Sequence, residues 1–300
     1  MKTKKQISIF VGLSCAIAWS VFALIPLLHL SYGTGSSVII LAAMMFAPAA
    51  SNILTRLITK EGFKNLYLKP QFKGKIKLYV ASFFGPSLLL LFSGALYFLL
   101  IPTAFDPDLT QIKALLALQG PKNMGIPSFL LIAVAQIVVI GPVVNLIPTL
   151  GEELGWRGYL LPKLRLITSD RKAFIISGVI WGVWHFPAII LGHNYGTSYV
   201  LYPYLGIIAM ILFCIVLGII EGYVTIKTGN VICAAMIHST VNAGAALPLL
   251  LAKEGYNTLL GPAITGLVGG LPFIVLALFL FWKSGTQSEK ETVLTSGSAL

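Results

Sequence analysis

The chain has 300 residues, is 57% hydrophobic and 10% charged, and has a mean hydropathy of +0.88. Soluble globular domains carry about a quarter charged residues, so this composition excludes them and points to an all-α, polytopic membrane helical bundle. The net charge of +11 does not indicate a nucleic-acid partner, because Lys and Arg cluster between apolar runs, as membrane-flanking anchors do.

The N-terminus, "MKTKKQISIFVGLSCAIAWSVFALIPLLHL", joins a basic start to an apolar run longer than a signal-peptide core, with no small-residue cleavage site. It reads as the first transmembrane helix. At 1.5 Å rise per residue a crossing needs about 20 apolar residues. The runs that qualify are 7–30, 36–58, 77–101, 128–150, 173–191, 199–220, 230–251 and 262–282. About eight crossings put both termini on one side.

Charge counting fits that parity. With the N-terminus in the cytoplasm, the inner side receives Lys2, Lys4, Lys5, the set from Arg56 to Lys77, Arg157 to Lys172, Lys227, Lys283 and Lys290. These are 18 of the 21 basic residues, leaving Lys113, Lys122 and Lys253 outside. Residues 59–77 mix Lys with Phe, Leu and Tyr, which suits either a strip in the headgroup layer or a plain basic loop. Residues 1–283 read as a single transmembrane domain, and 284–300, rich in Ser, Thr, Gly, Lys and Glu, as a disordered cytoplasmic tail. Cys15, Cys214 and Cys233 lie in apolar runs without CxxC spacing, so neither a disulfide frame nor a zinc knuckle is indicated.

Ionisable side chains at membrane depth cost several kcal/mol unless paired or hydrated, so each is a functional candidate. In "TLGEELGWRGYLLP", Glu153 and Arg157 are four apart and share a helical face, with the acid N-terminal to the base. Glu152 is rotated about 100° away and is left free to point into the bundle. The bland alternative is an interfacial ion cluster. His185 sits in "WGVWHFP" among Trp181, Trp184, Phe186 and Pro187, where a hydrogen-bonded packing histidine is the alternative to a catalyst. Gly178 and Gly182 on the same helix allow a neighbour to approach closely. His238 and Asn242 are four apart and face one direction; the alternative role is to stitch helices by hydrogen bonds.

Together, one Glu, two His and one Asn, expected toward the inner half of the membrane, are the parts of a hydrolase. Glu and His can jointly take a proton from water, and a second His with an amide can donate to the developing oxyanion. Glu152 with the two histidines could instead hold zinc. The absence of HExxH favours no metal and no other cofactor.

At these residues the chain resembles the CPBP family, which unites type II CAAX prenyl endopeptidases with bacteriocin-processing and immunity-type (Abi) membrane proteases. Its EExxxR motif corresponds to Glu152-Glu153 and Arg157, its FxxxH motif to Trp181 and His185, and its HxxxN motif to His238 and Asn242. Trp181 stands where the family usually has Phe. The resemblance covers mainly 148–246 and implies a protease-like core over about 128–252.

The resemblance further implies an intramembrane endopeptidase of the bacterial plasma membrane, with a cavity open to the cytoplasm and to lipid. In that reading Glu152 and His185 activate water, His238 and Asn242 form the oxyanion hole, and Glu153, Arg157 and Trp181 support them. The partner is then a membrane-associated peptide or protein, such as a peptide pheromone, a bacteriocin precursor or a leader fragment. A non-proteolytic scaffold acting through a partner is the competing class. A proton-coupled transporter is a third, weakened by the lack of an inverted repeat.

Overall fold

The computed structural model describes the backbone of residues 1–119 and 124–297, and the side chains of these residues except 119 and 286–297. Regular structure among them is helical, with one isolated antiparallel bridge between Phe105 and Ala252. The helices are α1 (Lys2–Leu27), α2 (Ser36–Met44), α3 (Ala47–Thr59), α4 (Ile76–Leu100), α5 (Thr110–Gln119), α6 (Ile126–Ala135), α7 (Gly141–Val144) and α8 (Leu146–Gly155). They continue with α9 (Leu161–Arg165), α10 (Asp170–Trp184), α11 (Phe186–Ile190), α12 (Tyr204–Thr228), α13 (Ile232–Gly244) and α14 (Leu271–Gly297). π-helical turns at Gln136–Ile140 and Trp156–Leu160 join α6 to α7 and α8 to α9.

Among the described residues, six helical stretches are long and apolar enough to cross a bilayer. They are Lys2–Leu27, Ser36–Thr59, Ile76–Leu100, Ile126–Val144, Tyr204–Thr228 and Ile232–Leu251. The protein is an integral membrane protein built as a polytopic bundle. Two of the eight expected crossings take a different form. The 173–191 run is broken at His185, because Pro187 has no amide hydrogen to continue the helical ladder and α11 starts anew. The 262–282 run is not helical at its start: 261–270 is a glycine-dense coil tied by Leu267 N–H to the Leu259 carbonyl (2.9 Å), and α14 begins at Leu271. Its apolar part, Leu271–Gly285, is shorter than a full span. The side chains of 286–297 and all of 298–300, where a disordered tail is expected, lie outside the described residues.

Residues 60–75 form no long helix. The Arg56 guanidinium binds the carbonyls of Gly62 (2.9 Å) and Lys64 (3.1 Å), which pins the strand of chain while Phe63, Leu68 and Phe72 stay exposed. Glu61 in this connection accepts from the Tyr159 hydroxyl and pairs with Lys163. Burial alone raises its pKa, yet the hydrogen bonds from Lys163 and Tyr159 outweigh it and hold the carboxyl below the usual glutamate value.

α10 packs most extensively on α12. The reason is local: a Cβ added at Gly178 would lie 2.6 Å from Ile215 Cα, and one at Gly182 would lie 2.5 Å from Ile211 Cα. The two glycines form a flat stripe that lets the α12 backbone come within contact. We therefore expect Gly182→Ala to destabilise the bundle by about 1–3 kcal/mol, as overpacking of a tight contact does. Gly12→Ala, which meets open space, should change little. Thermal unfolding of both variants in detergent checks this, and equal melting temperatures would refute the contact.

Candidate active site

α8 is placed by its own small residues and by polar stitches to two neighbours. Gly151 and Gly155 are four apart on one face; a Cβ at Gly155 would lie 2.3 Å from Pro48 Cβ and one at Gly151 would lie 2.8 Å from the Met45 carbonyl. The helix can therefore lie directly on the α2–α3 junction. The Asn52 amide donates to the Leu154 carbonyl (2.8 Å), and the Thr149 hydroxyl donates to the Ala235 carbonyl on α13 (3.1 Å). With that face fixed, Glu152 and Glu153 turn inward on adjoining faces and are 3% and 0% exposed.

The two carboxylates have different partners. Glu153 Oε1 accepts from Arg157 Nη1 at 3.0 Å and from His238 Nδ1 at 2.9 Å. Arg157 Nη2 reaches Glu221 Oε2 on α12 at 2.5 Å, and the guanidinium lies 4.2 Å from the Trp181 ring centroid. Glu152 Oε2 accepts the Trp181 indole N–H at 2.9 Å and lies 3.4 Å from the Trp156 indole nitrogen. Trp181 thus does what a phenylalanine there could not: it supplies a hydrogen bond to Glu152 as well as a platform for Arg157.

His185 Nδ1 lies 2.9 Å from the Trp181 carbonyl. A carbonyl only accepts, so Nδ1 carries the proton and Nε2 is the basic nitrogen. His238 Nδ1 is engaged by Glu153, which likewise leaves Nε2 for other partners. A cavity of about 240 Å³ brings Glu152, Trp181, His185, His238 and Asn242 to one wall system. Asn242, a turn beyond His238, sits at its margin and is exposed, whereas His185 and His238 are buried.

The cavity also holds residues that the sequence reading did not single out. His193 and Asn194, in the loop after α11, and Tyr32, in the α1–α2 connection, line it. The Tyr32 hydroxyl is 2.7 Å from His193 Nδ1, and the His193 ring is parallel to that of His185 with centroids 6.0 Å apart. Glu221 was missed as well, because the expected span closed at residue 220; an acid inside "LGIIEGYV" was the available signal. His193 carries no such signal, as it lies in a polar loop next to a span end.

Among the described residues, Glu153, Glu221 and His238 form the group whose donor atoms gather within 4.8 Å of one another. As arranged, this set does not fit a metal cation: the Arg157 guanidinium already lies 3.0 Å and 2.5 Å from its two carboxylates and supplies the positive charge there. Glu152 and His185, two of the three residues considered above for zinc, are not members of that group.

Residues 127–244, from α6 to the end of α13, match the family described as type II CAAX prenyl endopeptidase Rce1-like. All three motifs fall inside this segment, so the match is to the same stretch that carries the resemblance. A similar protein is the CAAX prenyl protease 2 of Methanococcus maripaludis, 34% identical over a 104-residue alignment that covers 32% of this chain and 36% of the relative. The chain therefore spans about a third of the length of the curated relative it matches.

Arg157 is the charge that makes the cluster tolerable. Arg157→Met leaves two buried carboxylates and is expected to cost about 3–5 kcal/mol, the penalty for breaking a buried pair from one side. The triple replacement Glu153→Gln, Arg157→Met, Glu221→Gln should recover most of that loss. Protein yield and unfolding temperature in detergent test both statements; a stable single variant would show that the cluster carries no such burden.

Proposed function

We propose that this chain is an intramembrane endopeptidase of the CAAX-protease type that hydrolyses a peptide bond of a membrane-associated peptide or protein. The observation that carries the reading is the convergence of Glu152, His185, His238 and Asn242 on one cavity. The match of residues 127–244 to a family described as endopeptidases, and the similarity to a protein named as a CAAX prenyl protease, support it.

In the proposed reaction, Glu152 and the Nε2 of His185 draw a proton from a water molecule as its oxygen bonds to the carbonyl carbon of the substrate. The carbonyl oxygen becomes an oxyanion, which accepts hydrogen bonds from His238 Nε2 and the Asn242 amide. For His238 this requires the imidazolium form, in which Nδ1–H is held by Glu153. Three carboxylates, Glu152, Glu153 and Glu221, stand against the single guanidinium of Arg157, so a positive charge at His238 suits the cluster. Collapse of the intermediate breaks the C–N bond, and the proton taken from water passes to the leaving nitrogen. The cycle balances without a bound metal or any other cofactor.

Trp181 orients Glu152 through the indole N–H, and Glu153 with Arg157 orients His238. A peptide substrate of bacteriocin-precursor or pheromone type remains part of this proposal. The alternative of a scaffold predicts that the cluster is dispensable for the biological role.

Removing a general base costs about 10²–10⁴-fold in rate. Glu152→Gln and His185→Ala are each expected to lower kcat by that factor in purified protein while folding is kept. Peptidomics of membranes from wild-type and Glu152→Gln cells identifies the substrate, and full processing by Glu152→Gln would end the peptidase reading. The same assay with a chelator tests the cofactor statement: activity should persist, with no stoichiometric zinc in the sample.

A further inference from the structure

The connection between α3 and α4 is basic and apolar at once, and the proposed chemistry makes no use of it. Residues 59–77 hold six lysines and a single acid, Glu61. Three times in this stretch a large apolar residue is followed directly by a lysine: Phe63-Lys64, Leu68-Lys69 and Phe72-Lys73. The acid is committed inward. Glu61 accepts from the Tyr159 hydroxyl at 2.6 Å and from the Gln6 amide at 2.8 Å, and it pairs with Lys163. Lys75 is also committed, to the Thr228 carbonyl at 3.0 Å. The other five lysines, at 60, 64, 69, 73 and 77, are exposed.

A loop of this composition would ordinarily fold its rings back on itself. Here the backbone is held from behind at four places. The Arg56 guanidinium binds the Gly62 and Lys64 carbonyls, the Val231 N–H donates to the Tyr67 carbonyl (2.9 Å), and the Gln71 N–H donates to the Tyr79 hydroxyl (3.1 Å). With the main chain turned toward the bundle, the apolar side chains stay outside. Phe63, Leu68 and Phe72 are 48%, 44% and 56% exposed, although the Phe72 ring lies only 4.7 Å from that of Tyr79.

The depth of the segment follows from its flanks. α3 ends at Thr59 and α4 begins at Ile76, and both belong to stretches long and apolar enough to cross a bilayer. The connection therefore lies where hydrocarbon gives way to headgroups. Apolar side chains rimmed by charge mark a contact surface. At this level the rings can enter the acyl boundary while each lysine stem runs along it and lifts the ammonium to the phosphates. Five exposed ammoniums with the one local acid turned away call for net negative charge. A phosphatidylcholine headgroup is neutral and does not supply it; an anionic phospholipid does.

We infer that residues 60–77 form a preshaped strip that binds the headgroups of anionic phospholipids, with Lys64, Lys69 and Lys73 on the phosphates and Phe63, Leu68 and Phe72 in the acyl boundary. Of the two readings open to this segment in the sequence, a headgroup strip and a plain basic loop, the pinned backbone and the outward rings support the first. The inference is independent of the peptidase reading, and a failed cleavage assay leaves it standing.

The test uses the purified full chain in phosphatidylcholine vesicles carrying spin-labelled phosphatidylglycerol or spin-labelled phosphatidylcholine as probe. The wild type should hold the anionic probe in preference to the neutral one. The triple variant Lys64→Gln, Lys69→Gln, Lys73→Gln should lower that selectivity by about fivefold or more, since one lysine near a membrane surface accounts for about that factor. The control pair Lys113→Gln, Lys253→Gln, also at exposed positions, should change it little. Unchanged selectivity in the triple variant, or an equal fall in both, would overturn the inference. Sodium phosphate should displace no more probe than chloride at equal ionic strength; selective displacement would mark a site for free phosphate instead. A second measurement keeps every lysine: Phe72 is replaced by the photocrosslinking residue p-benzoylphenylalanine and irradiated in cell membranes. Adducts with the mass of phospholipid support the strip, and adducts to another protein in their place overturn it.

Discussion

The arrangement depends on a single buried cation. Arg157 reaches Glu153 on its own helical segment and Glu221 on α12, while its guanidinium face lies on Trp181 of α10. Three helical segments that share no covalent proximity are thereby held around one planar group. A planar fork suits this task because it can bind two carboxylates and stack on an aromatic face at the same time. The pairing offsets the desolvation of charges that could not otherwise remain inside a membrane bundle.

That constraint sets the geometry of the rest of the cavity. Glu153, held by Arg157, receives the Nδ1–H of His238 and fixes the ring on α13. Trp181, pressed under the guanidinium, directs its indole N–H to Glu152 and its carbonyl to His185. The π-helical turn at Trp156–Leu160 lies at the point where the motif arginine leaves α8, consistent with the tendency of such turns to occur at functional sites. The glycine stripes at Gly151/Gly155 and Gly178/Gly182 bring α8, α10 and α12 close enough for these short contacts to form.

An aromatic and ionic layer of Trp156, Arg157 and Tyr159 is buried beside the catalytic carboxylates, and Tyr32, His193, Asn194 and Thr265 line the cavity from connections between helices.

The sequence by itself determined the membrane class, most of the crossings, the shared face of Glu153 and Arg157, and the small-residue stripe at Gly178 and Gly182. These follow from hydropathy and from the 3.6-residue period, which act along one segment at a time. It also marked Glu152, His185, His238 and Asn242, because polar groups are conspicuous in apolar runs. Only the tertiary structure decided that Glu221 joins Arg157, that the Trp181 indole serves Glu152, and that Tyr32 and His193 complete the cavity. Those contacts join residues up to 161 positions apart, and no local period encodes which helix faces which. The break at His185 and the coil at 261–270 were hidden for a related reason: hydropathy measures burial in lipid or protein alike and does not report where the backbone leaves the helix.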